Sequence, residues 1–128
     1  MRIVICGAGI VGSAIATHLA AEQNDVTVID HDEERVQRIA EHADLSAIVG
    51  LASHPDVLER AGLEKAELII AVTESDEVNM VACQMAHSVF KTPTKIARIR
   101  SNAYLRSDLQ SKVFTEDNMP IDFIISPE

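Results

Sequence analysis

Apolar residues in this chain collect into short, nearly continuous runs, separated by segments in which they recur every three or four positions. The runs fall at 2–6, 25–30, 46–50, 67–73, 95–100 and 121–125. They are too short for helices, and Leu68 to Val72 is too uniformly apolar for a half-exposed strand. They read as strands of a parallel sheet covered on both faces.

The intervening segments carry helical spacing. Over 10–22, Val11, Ile15, His18, Leu19 and Glu22 share one line while Ala14, Ala16 and Ala20 keep the helix slim, which places His18 at its inner edge as a hydrogen-bonded packing residue. Asp32 is placed to cap a helix over 33–42, with Val36, Ile39 and Ala40 apolar. Ser53 as N-cap, with Pro55 just inside, predicts a helix that ends at Gly62. A longer helix runs from about Glu77 to Phe90 on Val78, Val81, Ala82, Met85 and Val89, with Met80 and Met85 as core filling, and 103–112 predicts another. Strands and helices alternate with short connections, so each crossover is right-handed. The expected fold class is α/β, a Rossmann-type doubly wound six-stranded parallel sheet with helices on both faces, in order 3-2-1-4-5-6.

Composition narrows the picture. The 128 residues fit one domain and leave no room for a separate substrate domain. Aromatics are 3% and tryptophan is absent, so Ile, Val, Leu and Ala must build the core. A net charge of −9 excludes nucleic acid or an anionic membrane surface as a direct partner, and any bound anion must be held locally. Met1-Arg2 leads directly into a strand and no run of 18 apolar residues occurs, so a soluble, cytosolic protein without membrane insertion is expected. Cys6 and Cys83 read as small buried hydrophobes, and the five histidines have no metal-ligand spacing.

The candidate chemistry lies at the first strand-to-helix junction. Arg2 to Cys6 runs into Gly7-Ala8-Gly9-Ile10-Val11-Gly12, the G-x-G-x-x-G fingerprint in its required strand–turn–helix setting. Gly7 permits the tight turn, Gly9 lets backbone approach a pyrophosphate, and Gly12 lets helix and strand pack closely. The helix N-terminus adds unpaired N–H groups and partial positive charge. Asp30 ends the second run eighteen residues after Gly12, near the spacing of about 20 for an acid that binds the adenosine ribose. Its carboxylate accepts from ribose hydroxyls and repels a 2′-phosphate. No arginine follows directly, positions 31 and 32 being His31 and Asp32, so an NAD-like ligand is expected over an NADP-like one. The alternative is that Asp30 only begins the turn into the next helix.

Taken together, these residues resemble the nucleotide-binding N-terminal lobe of the regulators of potassium conductance (RCK, also called KTN, domains). The resemblance rests on Gly7 to Gly12, Val28-Ile29-Asp30, Gly50 to Ser53 with Pro55, Val57-Leu58, Ala61-Gly62, Ala71-Val72-Thr73, Asp76-Glu77 with Asn79, Ala82-Cys83 and Ile96-Ala97-Arg98. Asn79 to Gln84, Ile96 to Arg100 and the ending Pro120-Ile121-Asp122 with Pro127-Glu128 bring it nearest to the potassium-uptake members. The resemblance implies that Gly7, Ala8, Gly9, Ile10, Val11 and Gly12 line a pyrophosphate and that Asp30 holds the ribose. Gly50, Leu51 and Ala52 would border the adenine, although the family often has a polar or acidic residue where this chain has Leu51. Thr73 and Glu74 would meet the distal half of the ligand, and Arg98 would reach a phosphate. The other reading of Arg98 and Arg100 is a pair of strand-end charges balanced by nearby acids.

The resemblance further implies a non-enzymatic cytoplasmic sensor at the inner face of the cell membrane. It would bind NAD+ or NADH, with ADP or ATP possible at the same site, form a homo-oligomer such as a dimer or tetramer, and regulate a potassium transporter or channel membrane subunit of the TrkH-like kind. Family members are longer, so 1–128 is expected to be an excised domain. Two alternatives use the same fold: the cofactor domain of an NAD-dependent dehydrogenase, and a scaffold that binds no nucleotide. Nothing in the chain supplies the acid or base set against a substrate that hydride transfer requires.

Overall fold

A computed structural model describes residues 1–126; Pro127 and Glu128, part of the family-like ending, lie outside the described residues. Six strands, β1 (Arg2–Cys6), β2 (Asp25–Asp30), β3 (Ser46–Val49), β4 (Leu68–Ala71), β5 (Thr94–Arg98) and β6 (Phe123–Ile125), form one parallel sheet in order β3-β2-β1-β4-β5-β6. The helices are α1 (Ile10–Ala21), α2 (Glu33–His42), α3 (Pro55–Arg60), α4 (Asp76–Ser88), α5 (Asn102–Leu105) and α6 (Ser107–Val113). This is the expected doubly wound arrangement. The chain reverses direction across the sheet between β1 and β4, which opens a crevice beyond their carboxyl ends.

Strand alternation divides the core in two. Ile3 and Ile5 of β1 join Val28, Ile70, Ala16 and Ile39 on one face, while Val4 and Cys6 join Ile29, Ile69, Leu58, Ala82 and Cys83 on the other. Burial on both faces explains why the central strands read as unbroken apolar runs. The α1 helix buries only Gly12 and Ala16 fully, and this slimness lets it lie against the sheet.

The elements differ from expectation where side chains capture backbone. The β4 ladder stops at Ala71 because the Thr73 amide donates to Asn79 Oδ1 (2.9 Å). The β5 strand stops at Arg98 because the amides of Arg100 and Ser101 donate to the Asp76 carboxylate (2.9 and 2.8 Å). Ahead of β6, Asp122 Oδ2 accepts from the Lys95 amide at 2.7 Å and pairs with the buried Lys95 ammonium at 3.4 Å. The N-cap of α3 is His54, not Ser53, since the residue before Pro55 is held extended (φ −86°, ψ 126°). The long C-terminal helix is two short ones, broken where Arg106 takes an extended ψ of 130°.

Two helix faces are also corrected. His18 is exposed and faces Glu22 at 3.5 Å instead of packing inward. The buried line of α4 runs through Asp76, Asn79, Met80, Cys83 and Ala86 together with Ala82, leaving Val81 and Val89 exposed.

Both cysteines are buried and unbridged. Burial pushes the Cys83 thiol from 9.0 up to about 12 and raises that of Cys6 as well. In the unfolded chain these thiols ionise at lower pH than in the native one, so their contribution to stability is complete below about pH 9 and is lost as pH rises beyond it. A thiol reagent should therefore leave the native protein untouched at mildly alkaline pH and modify both cysteines on unfolding; rapid native-state labelling would contradict this.

Candidate functional site

The loop between β1 and α1 is shaped from beneath. Gly7 adopts φ +109°, its amide donates to Ile29 O at 2.7 Å, and a Cβ there would meet Val72 O at 2.8 Å, so the chain threads between the ends of β2 and β4. Gly9 is the N-cap of α1 and supplies no side-chain acceptor to the first turn. Above Gly9 a Cβ would meet only Arg35 Nη1, at 3.8 Å.

Asp30, only 5% exposed, faces this loop across the end of the sheet. Its Oδ2 accepts from the Ala8 amide at 2.7 Å and its Oδ1 from the Asp32 amide at 2.8 Å. The helix cap is Asp32, which accepts from the amides of Glu34 and Arg35. Asp30 therefore does begin the turn, yet a carboxylate has about four acceptor positions and the backbone takes two of them. Capacity for hydroxyl donors remains.

These groups border a cleft of about 660 Å³, within the usual range for small-molecule sites. Gly7, Gly9, Ile10, Val11, Asp30, Leu51, Ala52, Thr73, Glu74 and Arg98 line it, as do Gly50 and Arg100. Two residues from the fingerprint do not. Ala8 is buried with its amide committed to Asp30, and Gly12 lies under the loop against Gly7.

The far wall is organised by Asn79, which is fully buried. Its Oδ1 accepts from the Thr73 amide and, at 2.6 Å, from the Thr73 hydroxyl, while its Nδ2 donates to Arg98 O at 2.8 Å and Thr73 O at 3.2 Å. Arg98 donates from Nη2 to Val72 O (2.9 Å) and Thr73 O (2.8 Å), and its Nε is buried without an acceptor among the described residues. Burial, then the neighbouring Arg100, lowers the Arg98 pKa. Arg100 donates from Nη2 to Glu74 O at 2.8 Å. Both arginines are thus tied to the backbone of the wall they rise from.

Sequence reasoning missed Arg35. No arginine directly follows Asp30, but a side chain in the first turn of α2 points back toward the end of β2. Arg35 Nη1 lies 3.8 Å from Asp30 Oδ2, and Nη2 lies 3.2 Å from Glu74 Oε1 on the opposite wall. The Glu74 hydrogen bond, then the Asp30 charge, raises the Arg35 pKa. With Arg35 beside Asp30, only the Asp30 carboxylate is set to repel a 2′-phosphate.

Comparison with known proteins bears on the family and the fold. The TrkA-N domain pattern matches residues 3–127. The chain is 55% identical over its whole length to the Trk system potassium uptake protein TrkA of Azorhizobium caulinodans and 50% identical to that of Halomonas elongata, spanning 28% and 27% of those proteins. Both relatives are named for potassium uptake. Among solved structures, the TrkA-N domain of the Escherichia coli inner membrane protein ybaL superposes with a TM-score of 0.81 at 19% identity, covering 98% of this chain and 86% of that one. The GsuK channel bound to NAD superposes at 0.76 with 18% identity over 97% of this chain and 21% of that one, and GsuK bound to ADP also at 0.76 with 18% identity over 98% and 31%. With the family pattern spanning nearly the whole chain and a doubly wound sheet presenting an open cleft at its first glycine-rich turn, the chain belongs to the TrkA-N domain family.

Proposed function

We propose that the cleft binds an adenine nucleotide through its diphosphate, with NAD+ or NADH as ligand and ADP or ATP accepted at the same position. The observation that carries this is the uncapped first turn of α1 at Gly9, open to the cleft and set across from the buried carboxylate of Asp30. Backbone amides there suit an anion, and Asp30 suits the sugar. Leu51 and Ala52 border the adenine end. Thr73, Glu74 and Arg98 border the distal half. The GsuK structures, similar in fold, hold NAD and ADP.

The domain acts as a regulatory, non-catalytic element of a longer protein in a potassium uptake system. Support comes from the relatives' names and from the fraction of their length that this chain spans. No helix among the described residues is long and apolar enough to cross a membrane. The relatives' names support a potassium-transporting membrane subunit of the TrkH-like kind, at the cytoplasmic face, as the partner. A homo-oligomer would let nucleotide binding favour one arrangement of neighbouring domains.

Thermal unfolding with a panel of NAD+, NADH, NADPH, ADP and ATP tests the first part. A ligand at about 100 times its dissociation constant adds about 2.7 kcal/mol to stability. No shift with any of them would remove the nucleotide reading. Asp30→Ala should weaken NADH binding by about tenfold or more, the loss expected for charge-assisted hydrogen bonds. Unchanged affinity in calorimetry would place the ribose elsewhere.

A further inference from the structure

We propose that Arg35 and Glu74 form a strap across the diphosphate position, in which Glu74 holds the guanidinium until a ligand phosphate takes it over, so that this pair sets which nucleotides the cleft prefers. The inference rests on the nucleotide reading above. It begins from where the guanidinium lies: 3.8 Å from the Cβ position at Gly9, over the backbone that a pyrophosphate would approach. It spans the cleft, since Arg35 rises from α2 and Glu74 from the loop after β4, and the two meet at 3.2 Å.

The cations of the cleft are not equivalent. Arg98 and Arg100 each spend an Nη2 on main-chain carbonyls of the far wall. Among the described residues, Arg35 has only carboxylates as side-chain partners, those of Glu74, Asp30 and Asp32, the last two at 3.8 and 3.9 Å. Its shortest contact is therefore to a side chain that is itself 73% exposed. Exposed ion pairs are weak in water, and a phosphate offers guanidinium a more highly charged, bidentate partner. The exchange needs rotation of two side chains and no movement of backbone.

Release of Glu74 has opposite consequences for the two ligand types. A dinucleotide continues past its diphosphate into a second ribose, whose hydroxyls can donate to the freed carboxylate. A mononucleotide ends in a phosphate there, which the same carboxylate repels. Glu74 thus disfavours ADP relative to NADH.

Calorimetry of ADP, NADH and adenosine on the wild type, Glu74→Gln, Arg35→Gln and Glu34→Gln tests this. Glu34→Gln removes the same charge from an exposed position outside the cleft lining. Glu74→Gln should tighten ADP about two- to fivefold, the scale of an exposed ion pair, without tightening NADH equally, and should leave adenosine unchanged. Arg35→Gln should weaken ADP about tenfold, again without effect on adenosine. Glu34→Gln should change none of the three. An unchanged ADP-to-NADH ratio in Glu74→Gln, or an equal gain in Glu34→Gln, overturns the strap while leaving the nucleotide site intact. Failure of the wild type to bind any of these ligands overturns the nucleotide reading and the strap with it.

Discussion

Gly12→Ala is expected to remove a large fraction of the domain's stability, while Gly9→Ala, three residues earlier in the same fingerprint, leaves stability nearly unchanged. A Cβ on Gly12 would overlap the Gly7 carbonyl oxygen and lie 2.7 Å from its carbon. Both are backbone atoms at a turn already held by the Ile29 carbonyl and by the end of β4, so they cannot yield. The helix would have to lift from the sheet, at a cost of about 3 kcal/mol or more. Against a total of about 5–15 kcal/mol this is a large fraction, and the melting temperature should fall by about 10 °C or more. At Gly9 the added methyl meets only the Arg35 guanidinium, 3.8 Å away, and φ is −73°. Its cost should stay within about 0.5 kcal/mol, and its effect should instead be weaker nucleotide binding. Equal stability losses in the two variants would mean that the fingerprint glycines do not divide between folding and binding as described.

Asn79→Ala should cost about 2–4 kcal/mol, the second largest effect expected of a single substitution here. The side chain is fully buried, and its two ends tie the amide and hydroxyl of Thr73 to the carbonyl of Arg98. Removing it strands the Thr73 amide and leaves a cavity between α4 and the sheet. Asn79→Asp is the sharper probe, because it keeps the acceptor for Thr73 but replaces the donor that serves two carbonyls with a second oxygen. It should be at least as destabilising at neutral pH despite its similar size. A chemical denaturation midpoint equal to the wild type in either variant would show that the network is not what holds β4 and β5 together at the cleft.

The topology was legible because each central strand is buried on two faces, which leaves an apolar run with no alternation, and because the glycine-rich turn marks the switch between halves. The near wall was legible for the same reason: Gly7, Gly9 and Asp30 are spaced by backbone geometry that sequence records directly. In the far wall, Thr73, Glu74 and Arg98 entered through the family resemblance and do line the cleft, but the side chains that hold them in place were not legible. Asn79 and Asp76 lie on a helix whose apolar residues suggested a face through Val81 and Val89, and only the tertiary arrangement turns the polar pair inward to bind the ends of β4 and β5. Arg35 escaped for a different reason. It does not adjoin Asp30 in sequence; the helix brings it to Asp30 from a full turn away and to Glu74 from thirty-nine residues away. Strand ends were misplaced wherever a carboxylate or carboxamide took over an amide that the ladder would otherwise have used.

The grip of Asp76 on the amides of Arg100 and Ser101 joins the start of α4 to the stretch leaving β5. Tyr104, from α5, adds a second bond to the same helix through Glu77 at 2.8 Å. Glu74, Arg98 and Arg100 are accordingly mounted on one block that includes the first turn of α4 and the outer helix α5. These bonds give the cleft wall a continuous hydrogen-bonded connection to α5, on the outside of the molecule.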